Sequence, residues 1–154
     1  MKKLLQLGII IITASNVYSQ AGSLDPTFGT GGKVITSINS GADKAYAVAL
    51  QSDGKIIVAG MTTNAATGKD FACLRYNVNG ALDTSFGTNG IVTNDLQTGS
   101  DDVVYSIAIQ LDGKIILAGY SDDGSNKNAA LIRLNPTGTL DTTFGISGKV
   151  LTDF

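Results

Sequence analysis

Two stretches of this chain alternate bulky and small residues with a period of two. In residues 45–51, AYAVALQ, the bulky Tyr46, Val48 and Leu50 oppose the small Ala45, Ala47 and Ala49. Residues 104–110, VYSIAIQ, repeat the arrangement with Tyr105, Ile107 and Ile109 on the bulky side. A period of two is the signature of a strand, and the pattern predicts that Tyr46 and Tyr105 face a core. Residues 55–59 and 114–118, KIIVA and KIILA, are apolar on both sides after the lysine. That is the pattern of a strand covered on both faces. Asp53-Gly54 and Asp112-Gly113 join the first strand of each pair to the second, and Asp-Gly between two such runs is a hairpin signal. A third strand is predicted at 71–77 and again at 129–135, each ended by a turn, NVNG or NPTG. A fourth is predicted at 90–95 and 148–153, with residues 32–37 in the same register.

The whole unit therefore recurs. Its most conspicuous phrase occurs three times: LDPTFGTGG from Leu24, LDTSFGTNG from Leu82 and LDTTFGISG from Leu140, at intervals of 58 residues. AYAVALQSDGKIIVAG returns as VYSIAIQLDGKIILAG at an offset of 59, so one residue of length has been absorbed in loops, where it is cheap. The phrase connects the third strand to the fourth. Its Asp can cap the turn, its glycines can supply positive φ, and its Phe is the one large apolar group in the connection. Phe28, Phe86 and Phe144 are each expected to plug a gap between neighbouring sheets; the alternative is that they stack on a ligand.

Four antiparallel strands per unit, covered on both faces, describe a propeller blade. The predicted fold is all-β: two four-stranded antiparallel propeller blades plus an N-terminal orphan strand, an incomplete β-propeller. The predicted divisions are a signal peptide at 1–19, an N-terminal segment with the orphan outer strand at 20–42, blade 1 at 43–97 and blade 2 at 98–154. Propellers have four to eight blades, so the chain is expected to be the opening of a longer protein. LDxxFGxxG, QxDGKIIxAG and the Arg-bearing third strand, taken together over residues 24–154, resemble the delta-60 repeat family of bacterial surface-associated repeats. The resemblance implies a β-propeller and an exported protein. It carries no catalytic residue and no general activity.

The N-terminus agrees with export. Met1-Lys2-Lys3 precedes an apolar run at 4–14, and Ser19 suits cleavage ahead of Gln20. The run is too short for the roughly 20 apolar residues of a spanning helix, so no membrane insertion is expected after cleavage, and the protein is expected to be secreted or held at the cell surface. Removing Lys2 and Lys3 leaves 9 basic side chains against 13 acidic ones, which argues against a nucleic-acid partner.

Composition narrows the chemistry further. The absence of His excludes Ser-His-Asp and Cys-His nucleophile systems and His-ligated metals. Every acidic residue is Asp, a turn former, and Glu is absent. Cys73, the single cysteine, lies in the apolar run FACL and reads as a small core residue. Arg75 and Arg133, the only arginines, occupy the same place in both units. They are expected to pair with the Asp of LDxxFG or bridge turn carbonyls, with an anionic ligand as the alternative. The Asp101-Asp102 and Asp122-Asp123-Gly124-Ser125-Asn126 clusters could hold calcium, but neither has EF-hand spacing and the plain solvated turn is the favoured reading.

These features predict an exported repeat segment that acts as a non-enzymatic scaffold or interaction module, with no catalytic, cofactor or metal residue assigned. Its expected partners are further blades of the same chain or other copies of it through exposed blade faces, with a protein or glycan ligand also possible. The alternative is part of a propeller enzyme whose metal- or cofactor-dependent site lies in blades outside this chain.

Overall fold

The computed structural model describes residues 22–153; the expected signal peptide at 1–19 lies outside them. The described chain is all-β. Strands β1 (Asp43–Leu50), β2 (Ile56–Asn64), β3 (Gly68–Tyr76) and β4 (Ile91–Asn94) form one four-stranded sheet, in chain order. Strands β5 (Asp101–Ile109), β6 (Ile115–Asp122), β7 (Lys127–Leu134) and β8 (Lys149–Thr152) form a second of the same order. Every pairing within the two sheets is antiparallel. These are the two predicted blades.

Strand ends differ from expectation where polar residues belong to strands. β2 and β3 continue past Gly60 and start before Phe71, pairing as far as Asn64↔Gly68. The segment MTTN lacks apolar alternation, yet Thr is β-branched and fits a pleated surface. Each Asp-Gly turn is a three-residue loop. Gln51 N–H donates to Lys55 O and Gly54 N–H to Gln51 O, with Gly54 at φ +83°, and the second unit repeats both bonds. A turn followed by a left-handed glycine is the common three-residue hairpin connection.

One core lies between the sheets. Ile57, Ala59, Phe71 and Cys73 of the first sheet meet Ile115, Leu117, Ile132 and Leu134 of the second, with Phe86 and Leu96 filling the seam. Strand β5 packs across β1, β2 and β3. Alternate residues along a strand point to opposite faces, so Ile57 and Ala59 look into this core while Ile56 and Val58 look the other way.

The tyrosine prediction fails. Tyr46 is 45% and Tyr105 55% exposed, and Val48 and Leu50 are 68% and 71% exposed. The register of β1 on β2 slips between Ala45 and Ala47, and that of β5 on β6 slips between Val104 and Ser106. Tyr46 and Tyr105 are thus the extra residues of two β-bulges, which leave a residue unpaired and re-aim its side chain. Past the second bulge, Ile107 and Ile109 pack against the core. Their counterparts Val48 and Leu50 occupy the side of blade 1 that no blade covers among the described residues.

Among the described residues, 32–37 pair with no strand; the segment makes only two isolated bridges, both at Lys33, to Gly29 and Thr30. A fourth strand pairs with the third strand of its own blade, as β4 does with β3, and among the described residues no third strand precedes it. It instead runs over the outer face of blade 1. Val34, Thr36 and Ile38 line a cleft of about 360 Å³ against Val58, Leu74 and Tyr76, while Ile35 points to solvent. Tyr76 Oη donates to Thr36 Oγ1 at 2.8 Å.

Candidate functional site: the latch between blades

The recurring phrase builds one local structure three times. In the second copy Asp83 Oδ1 accepts from Ser85 N–H at 3.1 Å and from Ser85 Oγ at 2.7 Å. Asp25 with Thr27 and Asp141 with Thr143 repeat the pair of bonds. Asp is suited to this because its short carboxylate reaches the backbone two residues on. Phe86 N–H then donates to Asp83 O, and Gly90 N–H to Phe86 O. Gly87 stands at φ +52° and Gly90 at +92°, which β-carbon-bearing residues adopt with strain.

The other two motifs of the unit converge on the free oxygen of that Asp. Arg75 Nε donates to Asp83 Oδ2 at 2.8 Å, and Lys55 Nζ stands 2.9 Å from the same atom. In blade 2, Arg133 Nε lies 2.8 Å and Lys114 Nζ 3.1 Å from Asp141 Oδ2. The Lys of QxDGKII, the Arg of the third strand and the Asp of LDxxFG are therefore one three-part ionic cluster. The hydroxyl of Ser85 and the Lys55 ammonium hold the Asp83 carboxyl well below the usual carboxylate range, and Thr143 with Lys114 does the same for Asp141. The expected Arg–Asp pairing is present in both blades. The Lys partner was not foreseen, although Lys55 and Lys114 recur at matching positions in the repeated motif.

What the cluster supports lies on the next blade. The Arg75 guanidinium stacks 4.5 Å over the Phe86 ring, and its Nη1 donates to Pro136 O of blade 2 at 2.6 Å. Gly87 N–H donates to Thr137 O at 2.8 Å. Phe86 is fully buried, as expected of a plug between sheets. Its ring lies against Gly138, where an added β-carbon would stand 3.0 Å from the ring and 2.7 Å from Gly87 N. Glycine is required there by a close approach as well as by φ +88°. One junction earlier, Gly29 N–H donates to Asn79 O at 2.8 Å, and a β-carbon on Gly80 would meet Phe28 and Gly29. The first two copies of LDxxFG thus latch onto the NxxG turn that ends the third strand of the following blade.

The third copy is built the same way. Arg133 stacks 4.6 Å over the Phe144 ring. Among the described residues no turn lies against it, Phe144 is only partly buried and Ile146 is 85% exposed.

A second fastening recurs one strand further on. Asp43 accepts from Ile38 N–H at 2.9 Å and from Thr62 Oγ1 at 2.6 Å. Asp102 accepts from Leu96 N–H and from Ser100 Oγ, both at 2.7 Å. Each Asp fixes the chain as it leaves one blade for the next. Asp102 is fully buried, and burial pushes its carboxyl above the usual range. Its neighbour Asp101 is ion-paired with Lys69 across the blade boundary. The two members of the Asp101-Asp102 cluster thus have separate roles.

The Asp122-Asp123 loop is a tight turn. Asp122 Oδ1 accepts from Gly124 N–H, and Asp123 Oδ1 from the N–H groups of Ser125 and Asn126. Cys73 is fully buried and its thiol is pushed up to about 12 by desolvation. The bulges turn the tyrosines into an exposed aromatic row. Tyr46 and Tyr105 have ring centroids 5.2 Å apart, and Tyr105 and Tyr120 lie 5.9 Å apart. A bulge leaves no mark in residue pattern, so this row was not legible beforehand.

Residues 51–86 and 110–144 each match the family described as a β-propeller domain of unknown function, DUF5122. The chain is built of β-propeller repeats. Both matched segments run from the Gln that opens the hairpin to the Phe of the latch, so they contain the three motifs that form the ionic cluster. No curated protein and no solved structure matches the chain.

Proposed function

We propose that this chain is a segment of an exported, non-enzymatic scaffold of delta-60 repeats, whose role is to stack blades and present their surfaces to partners. The observation that carries this reading is the third latch. Two copies of LDxxFG are engaged by the turn of a following blade, and the third, Phe144 with Gly145, has the ionic support of the second copy and, among the described residues, no turn against it. The occupant it fits is a further repeat, either of the same polypeptide or of a second copy. On the opposite side, Val48 and Leu50 stand exposed at the positions whose counterparts in β5, Ile107 and Ile109, pack against the preceding blade. Apolar residues clustered on one side in this way mark an interaction site in a soluble protein. The side chains invested in the repeat serve the junctions between blades, which supports a structural role over catalysis.

Sedimentation velocity on the purified chain over a range of concentrations tests the proposal. Association is expected to rise with concentration and to weaken in Ile146→Asp and Val48→Asp. Both positions are exposed, so both variants should keep the parent melting curve. A chain that stays monomeric at every concentration, with variants indistinguishable from the parent, contradicts the stacking role.

A further inference from the structure

At the seam between the sheets the fold brings together three carboxylates that the sequence keeps apart. Asp70 lies in the first turn-proximal part of β3, Asp95 follows β4, and Asp102 lies in β5 of the other blade. One oxygen from each falls within 4.8 Å of the others. Asp70 is 4% exposed and Asp102 fully buried, while Asp95 is half-buried.

Proximity of acids alone says little; the unmet hydrogen bonds say more. Asp70 Oδ1 and Asp95 Oδ1 are both sheltered from solvent and have no hydrogen-bond partner. Asp70 uses its other oxygen to accept from Thr67 Oγ1 at 2.9 Å. Among the described residues no ion pair involves any of the three acids. The Lys69 ammonium is held by Asp101, and Lys149 Nζ donates to the main-chain oxygen of Asp95 at 2.7 Å. A buried carboxylate oxygen without a partner is costly, and three facing carboxylates need a positive charge or a proton among them.

We propose that Asp70, Asp95 and Asp102 form a calcium site that clamps blade 1 to blade 2. Calcium takes oxygen ligands at roughly 2.3–2.6 Å, so two oxygens on opposite sides of one ion stand up to about 5 Å apart. Oxygens lying within 4.8 Å of one another are close enough to share such an ion. Magnesium demands near-ideal octahedral geometry and gives up its water reluctantly, so a mostly buried carboxylate cluster favours calcium. Three carboxylates supply the charge, and water completes the shell on the Asp95 side. The site also breaks the symmetry of the repeat. The residue 58 positions after Asp70 is Asn128, and the residue 58 before Asp95 is Ser37. Asp102 has Asp43 and Asp95 has Asp153 at matching positions, so Asp70, replaced by Asn128 in the next unit, is the member that distinguishes this seam.

The full chain, stripped with chelator, is to be titrated with calcium chloride by calorimetry and by thermal melting, with magnesium chloride at equal ionic strength as the control. A saturable calcium heat and a rise in melting temperature are expected, with a dissociation constant at or below the roughly 10⁻³ M of extracellular calcium modules. Asp70→Asn should weaken calcium binding about tenfold or more. The substitution is isosteric, and blade 2 already carries Asn at the matching position, so folding is expected to survive. Asp122→Asn, in the exposed turn, should bind like the parent. No heat and no melting shift at about 10 mM calcium would overturn the proposal, as would equal responses to magnesium or an undiminished response in Asp70→Asn. A rise in calcium-free stability on Asp70→Asn, with no calcium binding in the parent, would assign the seam to a shared proton instead.

Discussion

Truncating Arg75 and Arg133 separately isolates what the latch contributes across the blade boundary. The two arginines have the same local partners, an Asp at 2.8 Å through Nε and a Phe ring under the guanidinium. Among the described residues only Arg75 also reaches the next blade, through Pro136 O at 2.6 Å. Its side chain is 7% exposed, against 20% for Arg133. Removing one partner of a buried ion pair costs about 3–5 kcal/mol. Lys55 remains 2.9 Å from Asp83, so the carboxylate keeps a counter-charge and the lower end of that range applies. The stranded Pro136 carbonyl adds roughly 1–3 kcal/mol and the lost cation–π contact about 1 kcal/mol. These contributions share one side chain and do not sum in full, so Arg75→Ala is expected to cost about 4 kcal/mol. At roughly 2–4 °C per kcal/mol the melting temperature falls by about 10–15 °C. Arg133→Ala loses a more exposed pair and no contact to another blade, and should melt within a few degrees of the parent. Thermal and urea melts of both variants decide the matter. Equal losses, or a larger loss at Arg133, would refute the reasoning that the latch works across blades.

Three further outcomes follow from the same geometry. Gly138→Ala places a β-carbon 2.7 Å from Gly87 N and 3.0 Å from the Phe86 ring, whereas Gly124→Ala has the same positive φ and open space; urea midpoints should show about 1 kcal/mol lost at Gly124 and at least twice that at Gly138. Asp83 and Asp141 have lowered folded values, so their contribution is fully present above the unfolded value of about 4 and is lost as pH falls below it toward the folded ones. Urea midpoints measured as a function of pH should therefore fall on acidification from about pH 4, and a midpoint that rises there would contradict the pairing. Cys73 is buried with its thiol pushed up to about 12; it should resist a thiol reagent at neutral pH in the folded chain and react at once in denaturant, and rapid labelling of the native protein would place it elsewhere.

The blades were legible in the sequence because their faces are apolar at period two and their turns carry Asp-Gly, NxxG and LDxxFG at a fixed spacing. The role of Phe86 and the Arg75–Asp83 pair were legible for the same reason, since repetition links residues that must meet in every unit. The tyrosines were misread because a bulge shifts the faces without any change in residue type. The Lys55 contribution was missed because a lysine opening a strand reads as a solvated end. The Asp70, Asp95 and Asp102 cluster was out of reach of pattern altogether. Its members come from three strands or strand ends across two blades, and no periodicity relates them.

The most direct test of the latch is amide hydrogen exchange at three equivalent glycines. Gly29 and Gly87 donate to Asn79 O and Thr137 O of the following blade, both at 2.8 Å, while the matching amide of Gly145 faces no turn among the described residues. In dilute solution Gly29 and Gly87 should exchange slowly and Gly145 fast. As concentration rises and a second copy docks, Gly145 should become protected while the other two stay as they were. Gly87 exchanging as fast as Gly145 in dilute solution would contradict the account, because the phrase would then be an ordinary turn that holds nothing beyond its own blade.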